Sequence, residues 1–131
     1  MAMKIAIDSN RYTDLCRNLP EVVEIIENAN LVFVPLIVIA EQRAGFASGN
    51  QQEKNERILT KFLNKEEVSI LYPDEQTTHF YASLYSYLRK KGKPIPTNDL
   101  WIAALVIQYN LTLYDRDSDF DNLPQLARIG R

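Results

Sequence analysis

One helical segment constrains the fold more than any other part of this sequence. Residues 101–107 are apolar at every position, and Thr97 or Asn98 precedes them as the predicted helix cap. A helix without a polar face has to be covered on nearly all sides, so this helix must be central to the fold. A chain of 131 residues has room for one such core, and we expect a single domain over residues 1–131.

Short apolar runs alternate with helical patterns along the rest of the chain. The predicted strands are residues 3–7, 31–34, 68–71 and 111–114, and the predicted helices are one or two within 15–26, then 36–44, 50–64 and 75–91. The run 31–34 is continuously apolar, as expected for a strand covered on both faces. This alternation predicts an α/β fold, a three-layer sandwich with a mainly parallel central sheet.

Composition excludes several classes of protein. Cys16 is the single cysteine, so an internal disulfide is impossible, the reducing cytoplasm is the expected compartment, and we predict that Cys16 is a small buried residue. The longest apolar run, residues 31–40, contains Pro35 and falls short of the ~18 residues of a membrane span, so no membrane segment is expected. The net charge of −2 argues mildly against a nucleic-acid binder but hides how the charges are distributed.

Acidic residues occur where a parallel sheet would bring them together. Asp8 follows the first predicted strand, Asp115 and Asp117 follow the last, Asp99 begins the apolar helix, and Glu41 lies in the helix after the second strand. Because ligands of such sheets bind beyond the carboxyl ends of the strands, we expect these acids to converge. Clustered carboxylates raise one another's pKa, and a divalent cation relieves the repulsion. Oxygen ligands without His or Cys suit Mg²⁺ or Mn²⁺ rather than zinc.

Each acid also has a purely structural explanation. Asp8 could cap a helix, Asp99 is favourable at a helix N-terminus, and residues 115–121 could be a solvated turn. Glu41 is the hardest to explain in this way. It follows the apolar residues 36–40, and a carboxylate in such surroundings is costly unless it is paired or binds a metal.

Four short motifs occur in order along the chain: IDSN at residues 7–10, VIAE at 38–41 with Gly45 after it, IPTNDLWIAA at 95–104 and DRDSDF at 115–120. In order and spacing they resemble the PIN-domain family, and within it the VapC-type toxins of prokaryotic toxin–antitoxin pairs. The motif at 95–104 is the most specific of the four. The chain departs from the family pattern at Ser9 and Asp115, where the family commonly has Thr.

The resemblance implies an endoribonuclease that hydrolyses RNA phosphodiesters with a water activated by one or two Mg²⁺ ions, with Mn²⁺ as a possible substitute. The acidic positions of the family correspond to Asp8, Glu41, Asp99 and Asp117, and Asp119 corresponds to an additional acid often found there. We expect Asp8 and Asp99 to be direct ligands, with Asp117 or Asp119 completing the site through waters. Glu41 is either a ligand or a group that orients water. The resemblance also implies a homodimer and a cognate VapB-like antitoxin.

Four cations are candidates for binding RNA phosphates, namely Arg43, Arg89, Lys91 and Lys93. Cations near a helix C-terminus are favourable even without a ligand, because they interact with the helix dipole. We prefer this structural explanation for Arg89, Lys91 and Lys93. For Asp115 two orientations stay open, since its carboxylate faces either the site or the solvent. The alternative function is a non-catalytic α/β partner-binding module, an inactive PIN scaffold. Such a scaffold should have lost an acid, and none is missing.

Overall fold

A computed structural model describes residues 3–130 of the chain. Within these residues five strands form one sheet: β1 (Lys4–Ile7), β2 (Leu31–Pro35), β3 (Val68–Leu71), β4 (Thr112–Tyr114) and β5 (Arg128–Ile129). Their order is β3-β2-β1-β4-β5, and every neighbouring pair is parallel. The predicted α/β fold with a mainly parallel sheet is therefore confirmed.

The strands are connected by helices, as the alternating pattern predicts. The helices are α1 (Ser9–Cys16), α2 (Pro20–Asn28), α3 (Leu36–Ser48), α4 (Gln52–Leu63), α5 (Glu75–Lys91) and α6 (Thr97–Gln108), and a 3₁₀ helix over Ser118–Asn122 follows β4. None of the helices within residues 3–130 has both the length and the apolar character needed to cross a membrane.

Helix α6 lies in the core, as its apolar sequence requires. Leu100 and the run from Ile102 to Val106 are buried, whereas Trp101 is partly buried and its ring lies 4.6 Å from that of Tyr81 on α5. Burial of so many aliphatic side chains stabilises the fold by about 25 cal/mol for each Å² of apolar surface removed from water. Because α6 packs against α3, α5 and β4, its N-terminal turn has a well-packed base that supports the residues it carries.

Four sequence expectations need correction. Helix α6 begins at Thr97 with Pro96 as its N-cap, and neither Thr97 nor Asn98 caps it through a side chain. Helix α3 continues through Gly45 to Ser48, since a helix tolerates an isolated glycine at a modest cost. Cys16, predicted to be buried, is exposed at the end of α1. Strand β5 was not predicted, because two residues are too short to show a periodic pattern.

The strand register places the first and last acidic motifs side by side. Ile7 of β1 pairs with Tyr114 of β4, so the chain leaves the sheet at Asp8 and Asp115 on neighbouring strands. The backbone N–H of Asp8 donates to the carbonyl of Tyr114 at 3.3 Å, which extends this pairing by one residue. The parallel sheet therefore delivers both motifs to its carboxyl edge.

Candidate metal centre

Three aspartates from two separate segments meet at this edge of the sheet. One carboxylate oxygen each from Asp99, Asp117 and Asp119 lies within 4.8 Å of the other two, and all three residues are half-buried. Asp99 lies in the first turn of α6, whereas Asp117 caps the 3₁₀ helix by accepting from the backbone N–H of Asp119 at 2.9 Å. The donor set consists of carboxylate oxygens, so its chemistry fits a hard divalent cation such as Mg²⁺ or Mn²⁺.

Asp8 lies beside this group and also caps a helix. Its buried carboxylate accepts from the backbone N–H of Arg11 at 2.8 Å, so the capping role considered for Asp8 is real. The pKa of Asp8 is raised to about 6, mainly by burial and also by the charges of Asp115 and Asp117, while the hydrogen bond from Arg11 opposes the increase. Asp8 thus shares the electrostatic environment of the aspartates from the last motif, although it stands outside the group of three.

Glu41 is held at the same edge by two donors from different helices. The hydroxyl of Ser9 donates to its Oε1 at 2.7 Å, and the amide of Asn98 donates to its Oε2 at 3.3 Å. These bonds explain how a carboxylate is accommodated after the apolar start of α3. Asn98, expected from the sequence only as a possible helix cap, instead donates to Glu41; its place beside Asp99 in the most specific motif was the available signal.

The charge on Asp99 is strongly disfavoured in the absence of a cation. The pKa of Asp99 is raised to about 8. Burial is the largest cause, and the charge of Asp117, a hydrogen bond with Asp117 and the charges of Asp119 and Glu41 also contribute. In the metal-free protein Asp99 therefore retains its proton to a higher pH than an ordinary aspartate does. Binding of a divalent cation would displace this proton, so metal affinity should increase with pH.

We predict that the metal-free protein loses stability as the pH rises from about 4 to about 8. In this window folded Asp8 and Asp99 retain protons that the unfolded chain, with pKa values near 3.8, has released, so rising pH favours unfolding. Asp14 affects the stability only at lower pH. Its hydrogen bond with Arg116 lowers its pKa, so its stabilising effect is lost only as the pH falls below this window. Urea unfolding in EDTA at pH 5 and pH 8 measures the trend, and Asp99→Asn should weaken it. Equal or greater stability of the wild-type protein at pH 8 would contradict this prediction.

Asp115 does not have the solvent-facing orientation, one of the two that the sequence left open. It is fully buried, and Arg128 of β5 donates to its two oxygens at 2.9 and 2.6 Å. The backbone N–H of Asp117 donates to the same carboxylate at 3.0 Å. The negative charge of Asp115 is therefore compensated within the protein and does not face the solvent. Arg128 was missed because a cation 13 positions along the chain gives no sign of its partner.

A second carboxylate near the site is compensated in the same way. Asp14 of α1 is buried, and Arg116 donates to its oxygens at 2.8 and 3.2 Å, while Arg11 donates at 3.3 Å. The guanidinium of Arg11 also lies over the ring of Tyr114 at 4.5 Å. These contacts tie the segment between β4 and the 3₁₀ helix to α1.

The candidate RNA-binding cations lie in three different settings. Arg43 forms two hydrogen bonds with Glu56, at 3.0 and 2.9 Å, on an exposed surface. Arg89 and Lys91 belong to the last turn of α5, and Lys93 is exposed in the connection to α6. The Nζ of Lys91 lies 3.4 Å from the carbonyl oxygen of Asn122, at the end of the acidic 3₁₀ helix. Their role in binding RNA stays a prediction.

Comparison with known proteins agrees with this architecture. A family model described as the PIN domain matches residues 6–126. A protein named Ribonuclease VapC1 from Haemophilus influenzae is 31% identical, in a match covering 86% of this chain and 91% of that protein. Toxin FitB from Neisseria gonorrhoeae is 34% identical, with coverages of 87% and 88%. The crystal structure of VapBC2 from Rickettsia felis bound to a promoter DNA fragment contains a chain with a TM-score of 0.86 and 26% identity, covering 97% of this chain and 98% of that one. This chain belongs to the PIN domain family.

Proposed function

We propose that this protein is a Mg²⁺-dependent endoribonuclease, the toxin of a VapBC-type toxin–antitoxin pair. The observation that carries the proposal is the meeting of Asp99, Asp117 and Asp119 within 4.8 Å at the carboxyl edge of the sheet. The names of the relatives, ribonuclease VapC among them, support RNA as the substrate. Because Asp8 and Glu41 lie at the same edge, no acid of the set is missing, and this disfavours an inactive scaffold.

Each acidic residue has a distinct part in this proposal. Asp99, Asp117 and Asp119 would hold the cation, with Asp8 adjoining them from the end of β1. A bound Mg²⁺ would supply Lewis acidity at the phosphodiester and lower the pKa of the attacking water. Glu41, which Ser9 and Asn98 hold in place, would orient that water by accepting a hydrogen bond from it. Fixed orientation of this kind lowers the entropy cost of the reaction.

The expected activity is hydrolysis of RNA, which a matched pair of substrates tests. The purified chain is incubated in Mg²⁺ with an RNA oligonucleotide pool and with DNA of the same sequences, both end-labelled. The proposal predicts new internal ends in RNA and none in DNA. Absence of RNA cleavage over a range of sequences would favour the alternative, a partner-binding module.

The proposed partner is a VapB-like antitoxin in the cytoplasm. Solved relatives from Haemophilus influenzae and Rickettsia felis are described as VapBC structures. In this chain a groove of about 460 Å³ runs between α1, α2 and α4. Ile58 is 42% exposed at this groove, and Val23 and Ile26 of α2 also line it. A peptide with apolar side chains would cover this surface.

We also predict a homodimer in solution, mainly from the family resemblance. Multi-angle light scattering at micromolar concentration should give about twice the 15.1 kDa of one chain. A species with the mass of a single chain would contradict the prediction. Repeating the measurement without metal, in EDTA, tests whether assembly is independent of the acidic site.

A further inference from the structure

The side chain of Arg128 donates hydrogen bonds to three residues of the acidic segment 115–121. Besides its two hydrogen bonds to Asp115, its Nη1 donates to Asp121 at 2.8 Å and its Nη2 donates to the backbone carbonyl of Asp117 at 3.0 Å. The side chain of Arg128 is only 10% exposed, and its guanidinium lies 5.8 Å from the ring centre of the buried Phe120. A planar fork with several fixed donors can hold three acceptors at once, whereas an ammonium cannot match that geometry.

The contacts converge on the backbone of Asp117. Its carbonyl accepts from Arg128, and its N–H donates to Asp115, which Arg128 holds in turn. The carboxylate of Asp117 then accepts from the N–H of Asp119. Both aspartates that meet Asp99 therefore take their position from a backbone that Arg128 and Asp115 fix on either side. Neither Arg128 nor Asp115 belongs to the group of three carboxylates.

We propose that Arg128, acting with the buried Asp115, is a positioning residue that holds Asp117 and Asp119 at the distance from Asp99 needed to bind the cation. The inference rests on the proposed metal site and adds the residue that preorganises it. A buried carboxylate without a cationic partner is strongly destabilising, so Arg128 has a structural effect as well. A test must therefore separate the stability of the fold from the geometry of the ligands.

Arg128→Lys and Arg128→Met make this separation. Lys retains a positive charge beside Asp115 but lacks the planar guanidinium with its several donors. The unfolding temperature of Arg128→Lys in EDTA should therefore lie closer to that of the wild-type chain than the unfolding temperature of Arg128→Met does. The affinity of Arg128→Lys for Mn²⁺, measured by calorimetry, should nevertheless fall by about tenfold or more, as is usual when support of a metal ligand is lost. Arg57→Lys, the same change at an exposed position of α4, should bind Mn²⁺ like the wild-type chain.

The possible outcomes differ clearly. Wild-type Mn²⁺ affinity in Arg128→Lys would overturn the positioning role. A loss of affinity accompanied by the same drop in unfolding temperature as in Arg128→Met would leave a structural role only and would also overturn it. If Arg128→Met does not fold, Arg57→Lys becomes the reference. Lost Mn²⁺ affinity in Arg128→Lys at an unfolding temperature near that of Arg57→Lys then supports the positioning role, and lost affinity with a much lower unfolding temperature overturns it. Failure of the wild-type chain to bind Mn²⁺ would instead contradict the proposed function on which the inference rests.

Discussion

Asp99→Asn is expected to reduce RNA cleavage by about a hundredfold to a thousandfold while the chain stays folded. A cation at this site supplies several kcal/mol of charge stabilisation in the transition state, and each 1.36 kcal/mol corresponds to a tenfold change in rate. Asn has nearly the same shape but no charge, and it removes a carboxylate at the centre of the cluster. Initial rates of RNA cleavage at saturating Mg²⁺ measure the effect, with thermal unfolding as the check on folding.

Asp8→Asn should act in the same direction, and its helix cap should survive. Asn caps a helix about as well as Asp, so the bond to the backbone N–H of Arg11 can be kept. Both variants should be as stable as the wild-type chain in EDTA, or more so, because each replaces a carboxyl group whose ionisation is disfavoured by burial and by the neighbouring acids. Glu66→Gln, an exposed change before β3 at the opposite edge of the sheet, is the matched control. Wild-type rates in Asp99→Asn, or its unfolding in EDTA, would contradict the assignment.

Removal of divalent cations should abolish cleavage by the wild-type chain. Without a cation, the carboxylates at the sheet edge repel the phosphodiester, and nothing lowers the pKa of the attacking water. Cleavage of RNA in EDTA should fall to background and return when Mg²⁺ or Mn²⁺ is added in excess over the chelator. Undiminished cleavage in EDTA would rule out a mechanism that depends on a divalent metal.

Local patterns made most of the fold predictable. Helix α5 runs over Glu75–Lys91 as predicted, because Asp74 caps its start and Gly92, with φ of 70°, ends it in the left-handed conformation. The apolar residues of α6 predicted its burial in the same way. Strand β5 carries no such pattern, since it joins the sheet through two residues that pair with Leu113 and Tyr114. Its place depends on the tertiary fold alone.

The acids of the site were predictable to a similar degree, but their partners were not. The predicted parallel sheet was enough to place Asp8 and Asp117 at one edge, since parallel strands end together. The pairing of Asp14 with Arg116 joins residues 102 positions apart, and a sequence contains no sign of such a contact. For the same reason the pairing of the buried Asp115 with Arg128 was not predicted.

Calorimetric titration with Mn²⁺ tests the central claim most directly, because it measures the site without any RNA. The wild-type chain and Glu66→Gln should bind Mn²⁺ alike, with binding stronger at pH 8 than at pH 6 because Asp99 must lose its proton. Asp99→Asn should show little or no binding under the same conditions. Equal Mn²⁺ affinity in Asp99→Asn and the wild-type chain would contradict a metal centre built on Asp99, Asp117 and Asp119.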